Sequence, residues 1–370
     1  MASGRIGLIV NPVAGMGGEV GLKGTDGADV LARARALGAE PSAHVRAARA
    51  LTRLAAMAPD ATIVTPDGPL GLDHTGPVER IAGPAGPATT ADDTRAMVAA
   101  LGRRGLDLLM FAGGDGTARD VAAALPPGLP VLGIPTGVKM HSAVFATSPE
   151  AAGHLAALVA HRDPRVTWRE AEVMDLDEDA IRRGHVSATL HGYVPAPHER
   201  SLTQACKSGA VASDDAAMDA LAGRVVARME PGRVYVFGCG TTTRRVKRRL
   251  GFEGTLLGVD VVLDRRLIAA DVTGERLLRL VSGARATIVT SVTGGQGYVF
   301  GRGNQQIGAR VIETVGRDNI LIMTGQGKLA TLDPPCLRVD TGEPRVDRML
   351  EGYMPVHTAP GRVTMMKIAA

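Results

Sequence analysis

The feature that most constrains the fold is a short apolar segment, Leu106–Phe111, that runs directly into the glycine-rich sequence Ala-Gly-Gly-Asp-Gly-Thr at 112–117. An apolar run of this length, bounded by glycine, predicts a buried β-strand followed by a tight loop. Two further segments have the same form: Arg5–Val10 ends at Asn-Pro, and Val131–Ile134 ends at Pro-Thr-Gly. Apolar strands separated by helices predict a parallel sheet with helices on both faces.

Helices are predicted between these strands from their alanine, leucine and arginine content. The predicted helices are Ala28–Leu37, Ala43–Met57, Asp93–Arg103 and Ala118–Leu125, and a further short strand is predicted at 61–65. Thr90 or Asp92 is expected to cap the third helix, since both are good N-cap residues. The stretch 66–87 is rich in glycine and proline, which predicts a loop.

The character of the sequence changes near residue 165. Beyond that point, short β-prone runs recur between Gly, Asp and Pro residues, a pattern typical of strands joined by turns. Helices are predicted near Ser213–Met229 and Gln306–Val315, and strand is predicted from Arg345 onward. We therefore expect two domains, an α/β domain over 1–165 and a β-rich domain over 166–370.

Composition narrows the classes of ligand. The 370 residues include only five Phe, four Tyr and one Trp. Proteins that stack bases depend on aromatic platforms, so binding to nucleic acid is not expected. Lys and Arg number 42 against 38 Asp and Glu, and part of the excess is the basic cluster Arg244, Arg245, Lys247, Arg248 and Arg249. Such a cluster suits a small anionic ligand or simply a solvated helix face.

The three cysteines are far apart and none forms a CxxC pair, which excludes a disulfide framework and a sequence-readable zinc site. The first residues carry one basic side chain and a short apolar run, which fits neither a secretory signal nor a membrane span. No later segment reaches the length of about 18 apolar residues that a spanning helix needs. We expect a cytoplasmic protein that does not act at a membrane.

The glycine-rich sequence at 112–117, after the predicted strand Leu106–Phe111, is the strongest candidate for a catalytic or binding site. Gly113, Gly114 and Gly116 let the backbone approach a ligand closely. Their amides, with the start of the following helix, would form a concave positive site suited to phosphate. Asp115 would repel an anion there, but it fits if it holds Mg²⁺ or accepts a proton from an attacking hydroxyl. The alternative is that Asp-Gly only forms a tight turn.

The two other glycine-rich junctions add candidates. Because ligands bind at the carboxyl ends of parallel strands, all three junctions should face one crevice. The binding candidates at the other two junctions are Asn11, Pro12, Gly15, Thr136 and Gly137. Lys23 in the first glycine loop could meet a phosphate or be solvated. Lys139 and His141 could contact phosphate, or His141 could merely cap a helix.

Asn-Pro-x-Ala-Gly, Gly-Gly-Asp-Gly-Thr and Gly-Ile-Pro-Thr-Gly together resemble motifs of the NAD kinase and diacylglycerol kinase superfamily. The longer stretches Phe111–Val121 and Gly137–Phe145 are similar to its ATP-NAD kinase-like branch, which includes proteins named for acetoin catabolism (protein X). The resemblance implies an α/β nucleotide-binding domain, a β-sandwich-like second domain and a homo-oligomer. It also implies that Asp115 acts as base on the acceptor hydroxyl while the backbone of Gly113–Thr117 holds the donor phosphates.

The second domain departs from the pattern of NAD kinases. Their Thr-Gly-Ser-Thr-Ala-Tyr stretch has its nearest counterpart in Gly238–Arg244, without the aromatic residue. This counterpart gives Thr241, Thr242, Thr243 and Arg244 as binding candidates, and the basic residues that follow could clamp a polyphosphate tail. The Asn-Glu dipeptide that grips the nicotinamide ribose in NAD kinases is absent, and Glu172 or Asp175 could stand in for it.

The resemblance and the glycine junctions together predict a phosphotransferase. The donor would be ATP or polyphosphate with Mg²⁺, and the acceptor would be the 2′-hydroxyl of the adenosine ribose of NAD, giving NADP. Two alternatives remain open at this point. The chain could phosphorylate a lipid or another small hydroxyl compound, or it could be an accessory protein that binds a nucleotide without turnover.

Overall fold

The structure is a computed structural model, and it describes residues 4–18, 20–22, 28–74, 76–84, 86, 88–136, 140–176, 188–199, 201–203, 215–293 and 297–370. Its contacts divide these residues into two compact units. The first unit holds 4–16, 28–36 and the described residues from 40 to 203, and the second holds the others. The predicted domain boundary at 165/166 falls inside the first unit.

The first unit is built on a five-stranded parallel sheet. Its strands are β1 (Arg5–Val10), β2 (Thr62–Pro66), β3 (Val78–Ile81), β4 (Leu108–Gly113) and β5 (Val131–Pro135), in the order β3-β2-β1-β4-β5. The helices of this unit are α1 (Ala28–Ala36), α2 (Ala43–Met57), α3 (Ala91–Gly102), α4 (Asp115–Ala124) and α5 (Pro149–Ala160). The predicted α/β architecture is therefore confirmed.

Alternate side chains of the strands form two cores, one on each face of this sheet. On one face, Ile6 and Leu8 of β1 pack with the buried stripe of α2 and with α5. On the other face, Ile9 and Phe111 pack with α3 and α4. Because every residue of β4 and β5 is buried, these strands are apolar throughout, as expected for a sheet covered on both sides.

Two elements of this unit differ from the predictions. The stretch 66–87, predicted as a loop, contains a 3-10 turn at Gly68–Leu70 and the edge strand β3. The sequence of β3, Val-Glu-Arg-Ile, is half-exposed and polar, so it lacks the apolar run that marks the inner strands. Helix α4 begins at Asp115 rather than at Ala118, because Asp115 and Gly116 adopt helical geometry directly after Gly114.

A β-hairpin completes the first unit. Its strands are β6 (Thr167–Leu176) and β7 (Ala188–His198), which pair antiparallel. Ala171, Val173, Val194 and Ala196 of this hairpin are buried in the same core as Phe111 and helix α4. The hairpin therefore packs on the side of the sheet where the glycine-rich sequence 112–117 begins its helix.

The second unit contains one nine-stranded mixed sheet. Its strands are β8 (Val234–Phe237), β9 (Asp260–Leu263), β10 (Arg266–Ala269), β11 (Ala286–Ser291), β12 (Tyr298–Phe300), β13 (Ile320–Met323), β14 (Leu337–Val339), β15 (Gly352–Ala359) and β16 (Arg362–Ala369), in the order β10-β9-β8-β11-β13-β15-β16-β14-β12. The four neighbours β8, β11, β13 and β15 run parallel. The prediction of a β-rich second unit is confirmed.

The second unit has more helices than the sequence predicted. They are α6 (Asp215–Ala227), α7 (Thr241–Arg249), α8 (Gly274–Val281), α9 (Ala309–Val315), α10 (Gln326–Ala330) and α11 (Pro344–Leu350). The prediction of strand from Arg345 onward is wrong for its first residues, which form α11 before β15 begins. Pro344 at the first helical turn and the buried pair Val346 and Leu350, one turn apart, favour the helix. Among the helices that the structure describes, none is both long enough and apolar enough to cross a bilayer.

Candidate functional site

The three glycine-rich junctions lie side by side in the first unit, because β1, β4 and β5 are neighbours in the sheet. The main-chain N–H of Asn11, after β1, donates to the carbonyl of Ala112 at 2.9 Å. The N–H of Thr136, after β5, donates to the carbonyl of Gly113 at 3.0 Å. The strand order reverses direction between β1 and β4. In open parallel sheets, ligands bind at the carboxyl ends of the strands on either side of such a reversal.

Gly15 brings the first junction against the third. Its φ is +83°, a left-handed conformation that favours glycine. A Cβ added at Gly15 would lie only 2.1 Å from the carbonyl oxygen of Thr136, so a side chain there is excluded. The loop after β1 therefore packs directly against the backbone that follows β5. Pro12, in the same loop, is half-buried.

Thr136 carries an unusual hydroxyl at this meeting point. The residue is 5% exposed, and its Oγ1 has no hydrogen-bond partner among the described residues. An unpaired buried hydroxyl is costly, and most such groups in proteins are bonded to protein or to a ligand. Thr136 is thus a donor available to a group that enters between the junctions.

The second junction supplies the amino terminus of helix α4. Gly114 is its N-cap residue and gives no side-chain cap. The first N–H groups of a helix have no acceptor within the helix, so those of Asp115, Gly116 and Thr117 form a positive end suited to phosphate oxygens. Gly113 must be glycine because a Cβ there would lie 2.4 Å from the side chain of Thr117.

Asn11 holds the first junction to this helix. Its Nδ2 donates to the Oγ1 of Thr117 at 2.9 Å, and its Oδ1 accepts from the N–H of Val13 at 3.2 Å. Thr117 is buried. The side chains of Asn11 and Thr117 therefore position the loop and the helix relative to each other, and the Thr117 hydroxyl points toward Asn11.

The carboxylate of Asp115 is buried and hydrogen-bonded, with 7% of the residue exposed. Its Oδ1 accepts from the N–H of Ser142 at 3.0 Å and from the Ser142 hydroxyl at 2.6 Å. Its Oδ2 accepts from the N–H of His141 at 2.6 Å, and the Nδ1 of the His141 ring lies 3.4 Å away. Asp115 thus fastens the segment after β5 to the start of α4.

The sequence predicts that Asp115 holds Mg²⁺ or accepts a proton, and the structure shows that most of its acceptor positions are already occupied. A carboxylate has about four acceptor positions. Three of those on Asp115 are filled by strong bonds, and among the described residues only the His141 ring, at 3.4 Å, approaches the fourth, on Oδ2. A contact of that length is weak. The fourth position on Oδ2 is therefore where a further hydroxyl could reach Asp115.

Ser142 belongs to this cluster, although the sequence analysis did not predict it as a site residue. Its Oγ contacts the carbonyl of Met174 at 3.0 Å and accepts from the N–H of Met174 at 3.0 Å, while the N–H of Ala143 donates to the carbonyl of Glu172 at 2.8 Å. Ser142 therefore joins α4 to strand β6. The only signal in the sequence was its place in the stretch 137–145, which resembles the ATP-NAD kinase-like branch.

Lys23, Gly137 and Lys139 lie outside the described residues, and so does the side chain of Asp175. Glu172 contributes its main chain to the bond with Ala143.

The candidates Thr241–Arg244 belong to the second unit, at the start of α7 after β8. Thr241 is exposed and Thr242 half-buried. Thr243 is fully buried, and its hydroxyl bonds the carbonyl of Gly238 at 2.7 Å, so this hydroxyl closes the turn into α7. Arg244 forms an ion pair with Glu253 at 2.7 Å.

Arg245 and Arg248 of the basic cluster are also paired with acids of the same unit. Arg245 contacts Asp215 and Asp219 at 2.6 and 2.7 Å, and Arg248 shares Glu253 with Arg244. The cluster is thus a network of mostly half-exposed ion pairs. A polyphosphate would have to compete with these carboxylates.

Lys247, within the same cluster, is wholly buried against Asp260 at 2.8 Å. Burial lowers the pKa of Lys247, partly offset by the charge of Asp260. Burial alone would raise the pKa of Asp260, but the Lys247 charge and hydrogen bonds from Lys247 and from the N–H groups of Asp271 and Thr255 together hold that pKa below its usual value. The pair anchors α7 to β9.

The described residues offer few side chains that could ligate a metal ion. Within the described part of the chain, no three His, Cys, Asp or Glu side chains are arranged to hold a metal ion. Mg²⁺ commonly binds through one or two carboxylates together with substrate phosphates and water. The residues here fit a Mg²⁺ that arrives with the phosphates of a nucleotide and takes at most Asp115 from the protein.

Comparison with known proteins agrees with these two units. The ATP-NAD kinase N-terminal domain matches residues 6–163, and the ATP-NAD kinase C-terminal domain matches residues 232–368. Both are domains of a kinase, and the two-unit fold is that of this class. The chain belongs to the ATP-NAD kinase family.

Among solved structures, the chain resembles one described as a candidate diacylglycerol kinase from Bacillus anthracis str. Sterne. The two share 18% identity over 48% of this chain and 46% of that chain, with a TM-score of 0.26. The aligned region thus spans less than half of that protein. No curated protein matches the chain significantly.

Proposed function

We propose that the chain is a phosphotransferase that moves the terminal phosphoryl group of ATP, or of polyphosphate, to a hydroxyl acceptor. The observation that carries the proposal is the meeting of three glycine-rich junctions around the amino terminus of α4. They place the first N–H groups of α4, which have no acceptor within the helix, next to the junction that holds Thr136, whose hydroxyl has no partner among the described residues. This combination suits the oxygens of a phosphate chain better than it suits a neutral ligand.

The donor phosphates would lie on the backbone of Gly113–Thr117, with the Thr136 hydroxyl donating to one phosphate oxygen. Phosphoryl transfer depends mainly on positioning and on stabilising the charge of the transferring group. Backbone N–H groups do both, since they are fixed before the reaction and need not reorganise. When bound, Mg²⁺ would neutralise part of the phosphate charge.

Asp115 would orient the acceptor hydroxyl and accept its proton at Oδ2. Three strong bonds from His141 and Ser142 hold the carboxylate still, while the position near the His141 ring is only weakly filled. A hydroxyl that displaces this ring contact gains a full hydrogen bond to Asp115. The bonds from Ser142 fix the direction in which Oδ2 points, which is what a positioned base needs.

We further propose that the acceptor is the 2′-hydroxyl of the adenosine ribose of NAD. Membership of the ATP-NAD kinase family supports this acceptor. The exposed Thr241 and half-buried Thr242, at the start of α7 in the second unit, remain candidates for binding it.

The test is incubation of the full chain with ATP, Mg²⁺ and NAD, followed by detection of NADP. Parallel reactions replace ATP with polyphosphate, and NAD with diacylglycerol in vesicles. NADP formation supports the proposed acceptor. Phosphorylated lipid without NADP would mean that the chain is a phosphotransferase with a lipid acceptor. If no combination of donor and acceptor gives a product, the chain binds a nucleotide without turnover.

A further inference from the structure

The second unit contains a cavity of about 410 Å³ between helix α6 and the sheet. It opens over the first halves of β8, β11 and β13 and over β15, so it lies away from the turn into α7 that follows β8. A volume of this order is that of a site for a small organic molecule. Neither the sequence motifs nor the proposed reaction uses it.

Two arginines border the cavity: Arg224 in α6, and Arg228 in the turn directly after it, whose main-chain N–H donates to the carbonyl of Arg224 at 3.1 Å. They are four positions apart across this helical turn, so they lie on the same side of it. Both are exposed, and neither has an ion-pair or hydrogen-bond partner among the side chains that the structure describes. Arg233, at the same cavity, is by contrast bonded to Glu230, Thr287 and Asn319.

The opposite wall carries His357, a half-buried residue of β15. Burial lowers the pKa of His357, and the charges of Arg228 and Arg224 lower it further. The other charged or titratable groups that line the cavity are Glu230, Arg233, Asp318 and Tyr235. Glu230 is already neutralised by Arg233 and Arg285, and the Tyr235 hydroxyl accepts from the N–H of Glu230 at 2.9 Å.

We propose that this cavity binds a small organic phosphate monoester, with its phosphate against Arg224, Arg228 and His357. The two guanidinium groups and the imidazole N–H supply donors for three oxygens, which matches a phosphate better than a carboxylate with two. The organic part would rest on the apolar lining of Leu221, Leu321 and Pro355. None of the residues that line this cavity belongs to the junctions around α4, and the proposal does not depend on the proposed reaction.

The experiment uses the full-length chain with phenyl phosphate as the probe. Binding is followed by calorimetry and by the NMR signal of the His357 ring, identified with a His357→Gln variant. We expect saturable binding, and a rise of the His357 pKa when the dianion is bound. Arg224→Ala/Arg228→Ala should weaken binding about tenfold or more, because each charged hydrogen bond contributes strongly.

The matched control is Arg276→Ala/Arg279→Ala, which removes the same charge from exposed positions of α8. This control should bind phenyl phosphate as the unmodified chain does. If both double variants bind phenyl phosphate equally weakly, the effect comes from the net charge of the chain, and the proposed site is wrong. Benzoate binding as tightly as phenyl phosphate, inorganic phosphate binding as tightly, or no His357 response below about 10 mM probe would also overturn it.

Discussion

Asp115 and Ser142 are joined twice: one carboxylate oxygen, Oδ1, accepts both the main-chain N–H of Ser142 at 3.0 Å and its hydroxyl at 2.6 Å. The first residue of α4 thereby fixes a segment 27 positions further along the chain. Because Ser142 also bonds Met174, this contact connects the glycine-rich junction after β4 to the hairpin of β6 and β7.

Ser142→Ala should destabilise the protein by about 1–3 kcal/mol, because Oδ1 of Asp115 loses the hydroxyl that donates to it and the N–H of Met174 loses its acceptor. Thermal or denaturant unfolding measures the effect. The control is Ser282→Ala, at an exposed serine whose hydroxyl only bonds back to its own helix. That control should stay within about 0.5 kcal/mol. Equal stability of the two variants would remove the structural role assigned to Ser142.

Gly15→Ala should cost more than Gly38→Ala, although both glycines have φ near +80°. At Gly38 a Cβ would meet nothing within 4 Å, so only the left-handed backbone is penalised, by about 1–2 kcal/mol. At Gly15 the Cβ would also collide with the Thr136 carbonyl, which should add at least about 1 kcal/mol. Equal losses of unfolding free energy in Gly15→Ala and Gly38→Ala would mean that the loop after β1 does not pack against the backbone after β5.

Thr136→Val should keep or slightly raise stability, because the hydroxyl that it removes has no partner among the residues that the structure describes. If that hydroxyl donates to a donor phosphate, the KM for ATP should rise about tenfold or more. The matched control is Thr358→Val in the second unit, which removes another buried hydroxyl without a described partner. An unchanged KM in Thr136→Val would exclude this residue from the phosphate site.

Lys247→Met should cost about 3–5 kcal/mol at pH 7, because it leaves the buried charge of Asp260 unpaired. In the unmodified chain the pKa of Asp260 is below its ordinary 3.8, so its contribution to stability is present above pH 3.8 and is lost as pH falls through the folded value. Urea unfolding across the pH range measures both effects.

The pKa of Asp260 should rise in the Lys247→Met variant. The charge and hydrogen bond of Lys247, which lower this pKa, are then gone while burial still raises it, so Asp260 in the variant takes up a proton at a higher pH than in the unmodified chain. The difference in unfolding free energy between the two chains should therefore shrink toward pH 3. A difference that does not change with pH would show that lost packing, and not the unpaired charge, sets the cost.

The sheet and its junctions could be predicted because their signals are local. Leu106–Phe111 is apolar except for Asp107, and the glycine-rich sequence 112–117 follows, so the strand and the loop after it could be predicted from one short stretch. The contacts of Asp115 could not, because they depend on a partner 27 positions away that carries no periodic signal. The ion pairs of Arg244 and Arg245 likewise depend on Glu253, Asp215 and Asp219, which only the folded chain brings near.

Asp115→Asn tests the central claim most directly. The amide can still accept from Ser142 at Oδ1, but its Nδ2 would face the N–H of His141, so a loss of about 1–3 kcal/mol in stability is expected. Ser142→Ala is the matched control, since it loosens the same contacts and keeps the acid. The comparison is made on chains shown to be folded at the assay temperature.

The measurement is the rate at which NADP forms from ATP, Mg²⁺ and NAD. We expect turnover by the unmodified chain, a loss of roughly 10²–10⁴-fold in Asp115→Asn, and a loss below about tenfold in Ser142→Ala. Turnover by folded Asp115→Asn at the rate of the unmodified chain would contradict the assignment of Asp115 as the group that receives the proton of the acceptor.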